Sequence, residues 1–106
     1  MGVVRIGYLD RGIDDMAVAS AQVQQYIRSI NVRVADSQSV VLVKDSVSYV
    51  GYGDYRREVR EPICVYIGGA EYDAEQDRVW MRRVDGGGPV SFSQEDFVAA
   101  CRAAYI

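Results

Sequence analysis

The sequence predicts an α+β fold: one compact domain over residues 1–106. It combines a mainly antiparallel, curved sheet of about 5–6 strands with two helices, at about residues 14–30 and 94–104, packed on one face. Three observations predict it. Two segments, one in each half, carry apolar residues at helical spacing. Between them, residues 39–92 run as short apolar stretches with alternation, broken by Gly, Asp and Pro. The composition is that of a globular chain: 106 residues, 49% hydrophobic and 25% charged, with a net charge of −3.

Residues 3–9 read as a first strand, with Val4, Ile6 and Tyr8 alternating against Val3, Arg5, Gly7 and Leu9. A turn at residues 10–12 leads to the first helix. Asp14 or Asp15 suits its N-cap and its positive dipole end. Met16, Ala19, Val23, Ile27 and Ile30 form its apolar stripe, and Asn31 suits a left-handed C-cap.

The middle of the chain is strand-like. Residues 32–35 read as a short strand, and residues 39–43 and 47–52 as two more. Lys44, Asp45 and Ser46 make the turn or bulge between the latter two. Gly51, Gly53 and Asp54 bend the chain, and the charged stretch 55–61 is an exposed strand or loop. Pro62 opens a strand at residues 63–67, and Gly68-Gly69 places a bulge before residues 70–72. A five-residue polar connection, 73–77, has hairpin length and leads to a strand at 78–84. After the glycine loop 85–89 comes a short strand at 90–92. The last helix has the clearest start. Ser93 is its N-cap, Asp96 stands at N3, and Phe92 can staple onto Phe97. Phe97, Cys101, Ala104 and Tyr105 share its apolar face.

Missing residue types exclude several chemistries. With no histidine, Ser-His and Cys-His nucleophile pairs are gone, as is the commonest metal ligand. Cys64 and Cys101 are too few for a zinc site and are expected to be small buried hydrophobes in a reducing cytoplasm. The N-terminus has no basic start followed by a long apolar run, so no secretion signal is expected. No stretch approaches the roughly 20 apolar residues of a membrane helix. Basic residues are 11 arginines against the single Lys44, and threonine is absent. GC-rich coding in a bacterium or its phage explains this bias, and arginine also suits bidentate interface contacts.

Four constellations merit weighing. Asp73, Glu75 and Asp77 alternate as calcium ligands do, but an EF-hand needs Gly and Glu where Arg78 and Val84 stand, so a polar turn is expected. Gly86-Gly87-Gly88 could approach a phosphate, but no Gly-Lys-Ser follows, and a mobile loop is expected. Asp10 with Asp14 or Asp15 could serve acid–base chemistry, although helix capping accounts for them. The fourth is the Tyr/Arg cluster of Tyr49, Tyr52, Tyr55, Arg56, Arg57 and Arg60, with a second group further along the chain, Arg78, Arg82 and Arg83 near Trp80. Tyr, Trp and Arg dominate protein contact hot spots. They can also stack bases, though an acidic chain lacks the field that a polyanion favours.

The resulting expectation is a non-enzymatic protein-binding module with no catalytic residue, cofactor or metal. It would be a small inhibitor or adaptor of a phage or mobile element, meeting a host protein through that cluster. The alternative is a small-ligand or nucleic-acid binding domain using the same Arg/Tyr surface. An unpaired strand edge also points to a homodimer. A cytoplasmic location with no membrane contact completes the reading.

Overall fold

The computed structural model of the protein describes residues 18–106. The expected strand at residues 3–9, the turn at 10–12, and Asp10, Asp14, Asp15 and Met16 lie outside the described residues.

Helix α1 (Ala21–Ala35) begins where Ser20 Oγ accepts the Val23 N–H at 3.2 Å. The cap is thus Ser20, several residues later than the expected start at residue 14. Val23, Ile27 and Ile30 recur at i, i+4 and i+7 and are buried. The helix does not stop at Asn31. Residues 32–35, expected as a strand, form its last turn. It closes when Gln38 N–H donates to Arg33 O and Ser37 N–H to Val34 O, with Ser37 left-handed at φ 60°. The β-branched valines are kept helical because Val34 packs against the core.

Strand β1 (Val40–Val50) and strand β2 (Arg57–Asp73) form a long antiparallel hairpin, followed by β3 (Arg78–Arg83) and β4 (Val90–Phe92). The sheet order is β1-β2-β3-β4, all antiparallel. Among the described residues there are therefore four strands, fewer than the expected 5–6. The expected strand at 32–35 is helix, the two expected at 39–43 and 47–52 are one unbroken strand through Lys44, Asp45 and Ser46, and the one expected at 3–9 lies outside the described residues.

Within β2 the pairing register to β3 shifts between Ile67 and Gly69, the bulge that Gly68-Gly69 suggested. A Cβ on Gly68 would lie 2.7 Å from Val84 Cγ1, so no larger residue fits there without displacing Val84. The sheet curls. Lys44 Nζ on β1 donates to Ser91 O on β4 and lies 5.3 Å from the Phe92 ring centre. In a flat sheet, β1 and β4 would stand about 14 Å apart, beyond a lysine's reach.

One face of this sheet supplies Val40, Leu42, Val65, Ile67, Ala70, Tyr72, Val79, Met81 and Phe92 to the core. Both helices cover that face. Helix α2 (Gln94–Ala103) is capped by Ser93 Oγ accepting Asp96 N–H at 3.1 Å, and it buries Phe97 and Cys101. Tyr26 of α1 meets Phe97 edge-on at 6.3 Å between ring centres. Gln94 Oε1 accepts Ser20 N–H at 3.0 Å, which ties the two helix starts together. Among the described residues, no helix is long and apolar enough to cross a membrane.

Candidate protein-contact site

The helices cover only the proximal half of the β1–β2 hairpin. From Val43 to Cys64 the residues are exposed or half-exposed on both faces of the two strands, so this stretch forms a projecting arm. This explains Lys44, Asp45 and Ser46, which look like a break in sequence. There the strand leaves the core: Asp45 and Ser46 meet water, and the half-buried Lys44 is satisfied by the Ser91 carbonyl. Pro62 sits inside β2 without breaking it, because the arm is only two strands wide and each strand is an edge.

The arm's tip is built by glycine. Gly51 has φ +95°, and a Cβ there would come within 2.4 Å of Tyr55 O. Tyr55 N–H donates to Tyr52 O at 3.0 Å and Arg56 N–H to Gly53 O at 3.2 Å, closing a single 3-10 turn (Gly53–Tyr55). Tyr52 and Tyr55 stand there at 92% and 89% exposure.

All six expected site residues lie on the distal arm, but the register divides them. Tyr49 pairs with Glu58, and Val47 with Arg60, on one face. Val50 pairs with Arg57 on the other. Arg56 folds back over the Tyr49 ring, its Cζ 4.4 Å from the centroid, a cation–π contact. Arg60 Nη2 lies 3.2 Å from Glu58 Oε1. One group is thus Tyr49, Arg56 and Arg60. A second is the tip pair Tyr52 and Tyr55. Arg57 stands apart from the first group.

The face that carries Tyr49 also carries residues the sequence reading passed over. Val43, Val47, Cys64 and Tyr66 continue an exposed, largely apolar stripe toward the body of the sheet. Cys64 is exposed and free rather than a buried hydrophobe, because its strand has already left the core; Cys101 is buried as expected. The available signal was the period of two: Val41, Val43, Val47 and Tyr49 share one parity, while the core residues Val40 and Leu42 hold the other.

A groove of about 420 Å³ separates β1 from α2, lined by Lys44, Asp45, Arg60, Phe92, Asp96 and Ala100 among others. Burial, then the nearby Arg78 guanidinium, holds the Lys44 amine below its ordinary range, while Asp96 pulls it up. Its proton is committed to the Ser91 carbonyl, which also accepts from Arg78 Nη2 at 3.2 Å.

The acidic turn is structural. Asp73, fully buried, accepts the N–H of Glu75 at 3.0 Å and of Gln76 at 3.4 Å. Asp77 Oδ1 accepts the Tyr72 hydroxyl at 2.6 Å and the Gln94 amide at 2.7 Å. Among the described residues, no group of three or more His, Cys, Asp or Glu could hold a metal ion. In the glycine loop, Asp85 receives Gly87 N–H at 3.1 Å and pairs with Arg83 through two contacts, so a carboxylate already stands where a phosphate would bind. No protein-family model, curated protein or solved structure matches this chain.

Proposed function

We propose that this chain is a non-enzymatic protein-binding module that meets its partner with the distal β-arm. The observation that carries the reading is the pair Tyr52 and Tyr55, almost wholly exposed at the end of a hairpin with no core beneath it. Tyrosine supplies large contact area at low entropic cost, and Tyr and Arg are enriched in hot spots. An isolated two-stranded hairpin is marginally stable in water, so a partner that covers the arm gains from ordering it.

Support for the non-enzymatic half comes from how the reactive groups are engaged. Lys44, Asp73 and Asp77 are bonded within the fold, and burial pushes the Cys101 thiol up to about 12. The finer form of the reading is a cytoplasmic inhibitor or adaptor of a phage or mobile element, supported by the arginine-rich coding bias. Nucleic acid fits less well. Between residues 44 and 63 the cations Lys44, Arg56, Arg57 and Arg60 are balanced by Asp45, Asp54, Glu58 and Glu61, which leaves no positive field for a polyanion.

The test places a photo-reactive residue at Tyr52 and, as a control, at the equally exposed Tyr105. The expected result is a discrete crosslinked polypeptide from position 52 alone, lost in a Tyr55→Ala background. Equal crosslinking from both positions, or none from position 52, overturns the reading.

A further inference from the structure

The open edge of the arm carries a charge pattern that complements itself. β3 begins to pair with β2 only at Ile67, and Val84 N–H donates to Tyr66 O at 3.1 Å. The main-chain groups of Tyr66 therefore point to the β3 side. The β1–β2 register runs unbroken from Arg57 to Ile67, so by strand alternation the groups of Cys64, Pro62, Arg60 and Glu58 point the same way. Among the described residues, no strand pairs with that edge below Tyr66. Its usable length is short. Pro62 has no N–H to offer, and Arg56 N–H is already given to Gly53 O. What remains is Arg57-Glu58-Val59-Arg60-Glu61.

We propose that two copies of this chain pair through this edge, antiparallel about a twofold axis at Val59. Such an axis keeps each side chain on its own face of the joined sheet, so only registers that oppose residues of equal parity are allowed. Centring on Glu58 opposes glutamate with glutamate; centring on Arg60 opposes arginine with arginine. Centring on Val59 opposes Arg57 to Glu61 and Glu58 to Arg60, in both directions, with valine against valine on the axis. Every directly opposed charged pair is then of unlike sign, the arrangement that stabilises antiparallel neighbours. Glu58 and Arg60 also present their outward N–H and C=O groups to each other, which closes the ladder with main-chain hydrogen bonds. The two arms become one four-stranded sheet.

The pairing rests on reading the arm as a contact element, but it uses the edge and leaves the tyrosine tip free. It is tested by sedimentation velocity over a concentration series, with unfolding midpoints recorded to confirm that each variant is folded. The wild type is expected to associate reversibly toward twice the mass of one chain, less so at high salt because the ion pairs are exposed. Glu58→Arg and Arg60→Glu, each alone, turn two unlike pairs into like ones. Each is expected to weaken self-association by about tenfold or more.

Mixing the two variants restores unlike charges at every position of the mixed pair, although the Glu58–Arg60 pair within each chain stays broken. Recovery of wild-type affinity in the mixture is therefore the specific expected result. A wild type that remains single throughout, single variants that associate as well as wild type, or a mixture that gains nothing would each overturn the pairing. So would an oligonucleotide that binds the arm of a chain that stays single. A chain that stays single yet crosslinks a foreign protein from position 52 refutes the pairing and keeps the binding module. Paired copies that capture nothing foreign do the reverse.

Discussion

The side chain of Asn31 bonds both main-chain groups of Ala70: Nδ2 donates to Ala70 O at 3.0 Å and Oδ1 accepts Ala70 N–H at 2.9 Å. A helical asparagine thus acts as a strand partner, just past the bulge where β2 shifts register. Asn31→Ala would leave a buried N–H and a buried C=O unsatisfied, at a cost of roughly 2–4 kcal/mol. Urea unfolding measures it. Asn31→Asp, which keeps the acceptor and loses the donor, is expected to fall between wild type and Asn31→Ala near neutral pH.

Tyr105 ends α2 in a left-handed conformation, φ 57°, with Ile106 N–H donating to Cys101 O and its own N–H to Arg102 O. Its side chain is 92% exposed and contributes little packing. A left-handed non-glycine residue costs about 1–2 kcal/mol, of which the unfolded-state entropy of glycine returns a part. Tyr105→Gly is therefore expected to raise stability by about 0.5–1 kcal/mol, and Tyr105→Ala to leave it nearly unchanged. Thermal unfolding midpoints separate the two.

Tyr72 and Asp77 make stability fall at both extremes of pH. Burial first, then the hydrogen bond to Asp77, pushes the Tyr72 phenol from its ordinary 10.0 up to about 12. Its contribution is fully present below pH 10.0 and is lost as pH rises through about 12. The Tyr72 hydroxyl, then the Gln94 amide, holds the Asp77 carboxyl below its ordinary 3.8. That contribution is present above pH 3.8 and disappears as pH drops through the depressed value. Read as urea midpoint against pH, Tyr72→Phe is expected to flatten both limbs in part, since the Cys101 thiol, likewise pushed up to about 12, keeps its own share of the alkaline limb.

The two thiols differ in access. Cys64 is exposed and Cys101 is buried, with its thiol pushed up to about 12. A thiol-specific chromophore added to the native chain is expected to label one cysteine quickly and the second only on unfolding. Cys64→Ser removes the fast phase; a fast phase that survives this change contradicts the placement of β2.

The second helix was legible in sequence because its signals agree: Ser93 caps, Asp96 follows at N3, and Phe97 and Cys101 share a face. The first was displaced because two cap candidates compete. Asp14 and Asp15 are strong caps by residue type, yet Ser20 holds the described helix start through Val23. Val32 and Val34 mislead toward a strand, since intrinsic preference does not know that α1 still has core to cover. The tip of the candidate site was visible as tyrosines between Gly51 and Gly53. Its division into faces was not, because face follows from register, and a strand mistaken for two loses its parity at the false break. A different gap hid the exposure of Cys64. An apolar run signals a strand, but not whether anything packs on it.

Each strand of this sheet lies beside its neighbours in the chain, so assembly proceeds by successive closure of short turns, without any crossover threading. Longer stretches of backbone are spanned as α1 docks and as β1 curls onto β4: Asn31 meets Ala70 39 residues later and Lys44 meets Ser91 47 residues later. Bringing distant segments together carries the larger entropy of ring formation, and local topologies fold faster. The meander is thus expected to form first, with α1 docking after the rate-setting step. Substitutions at Ile27 or Asn31 should slow refolding less than they speed unfolding, the reverse of substitutions in the β2–β3 turn.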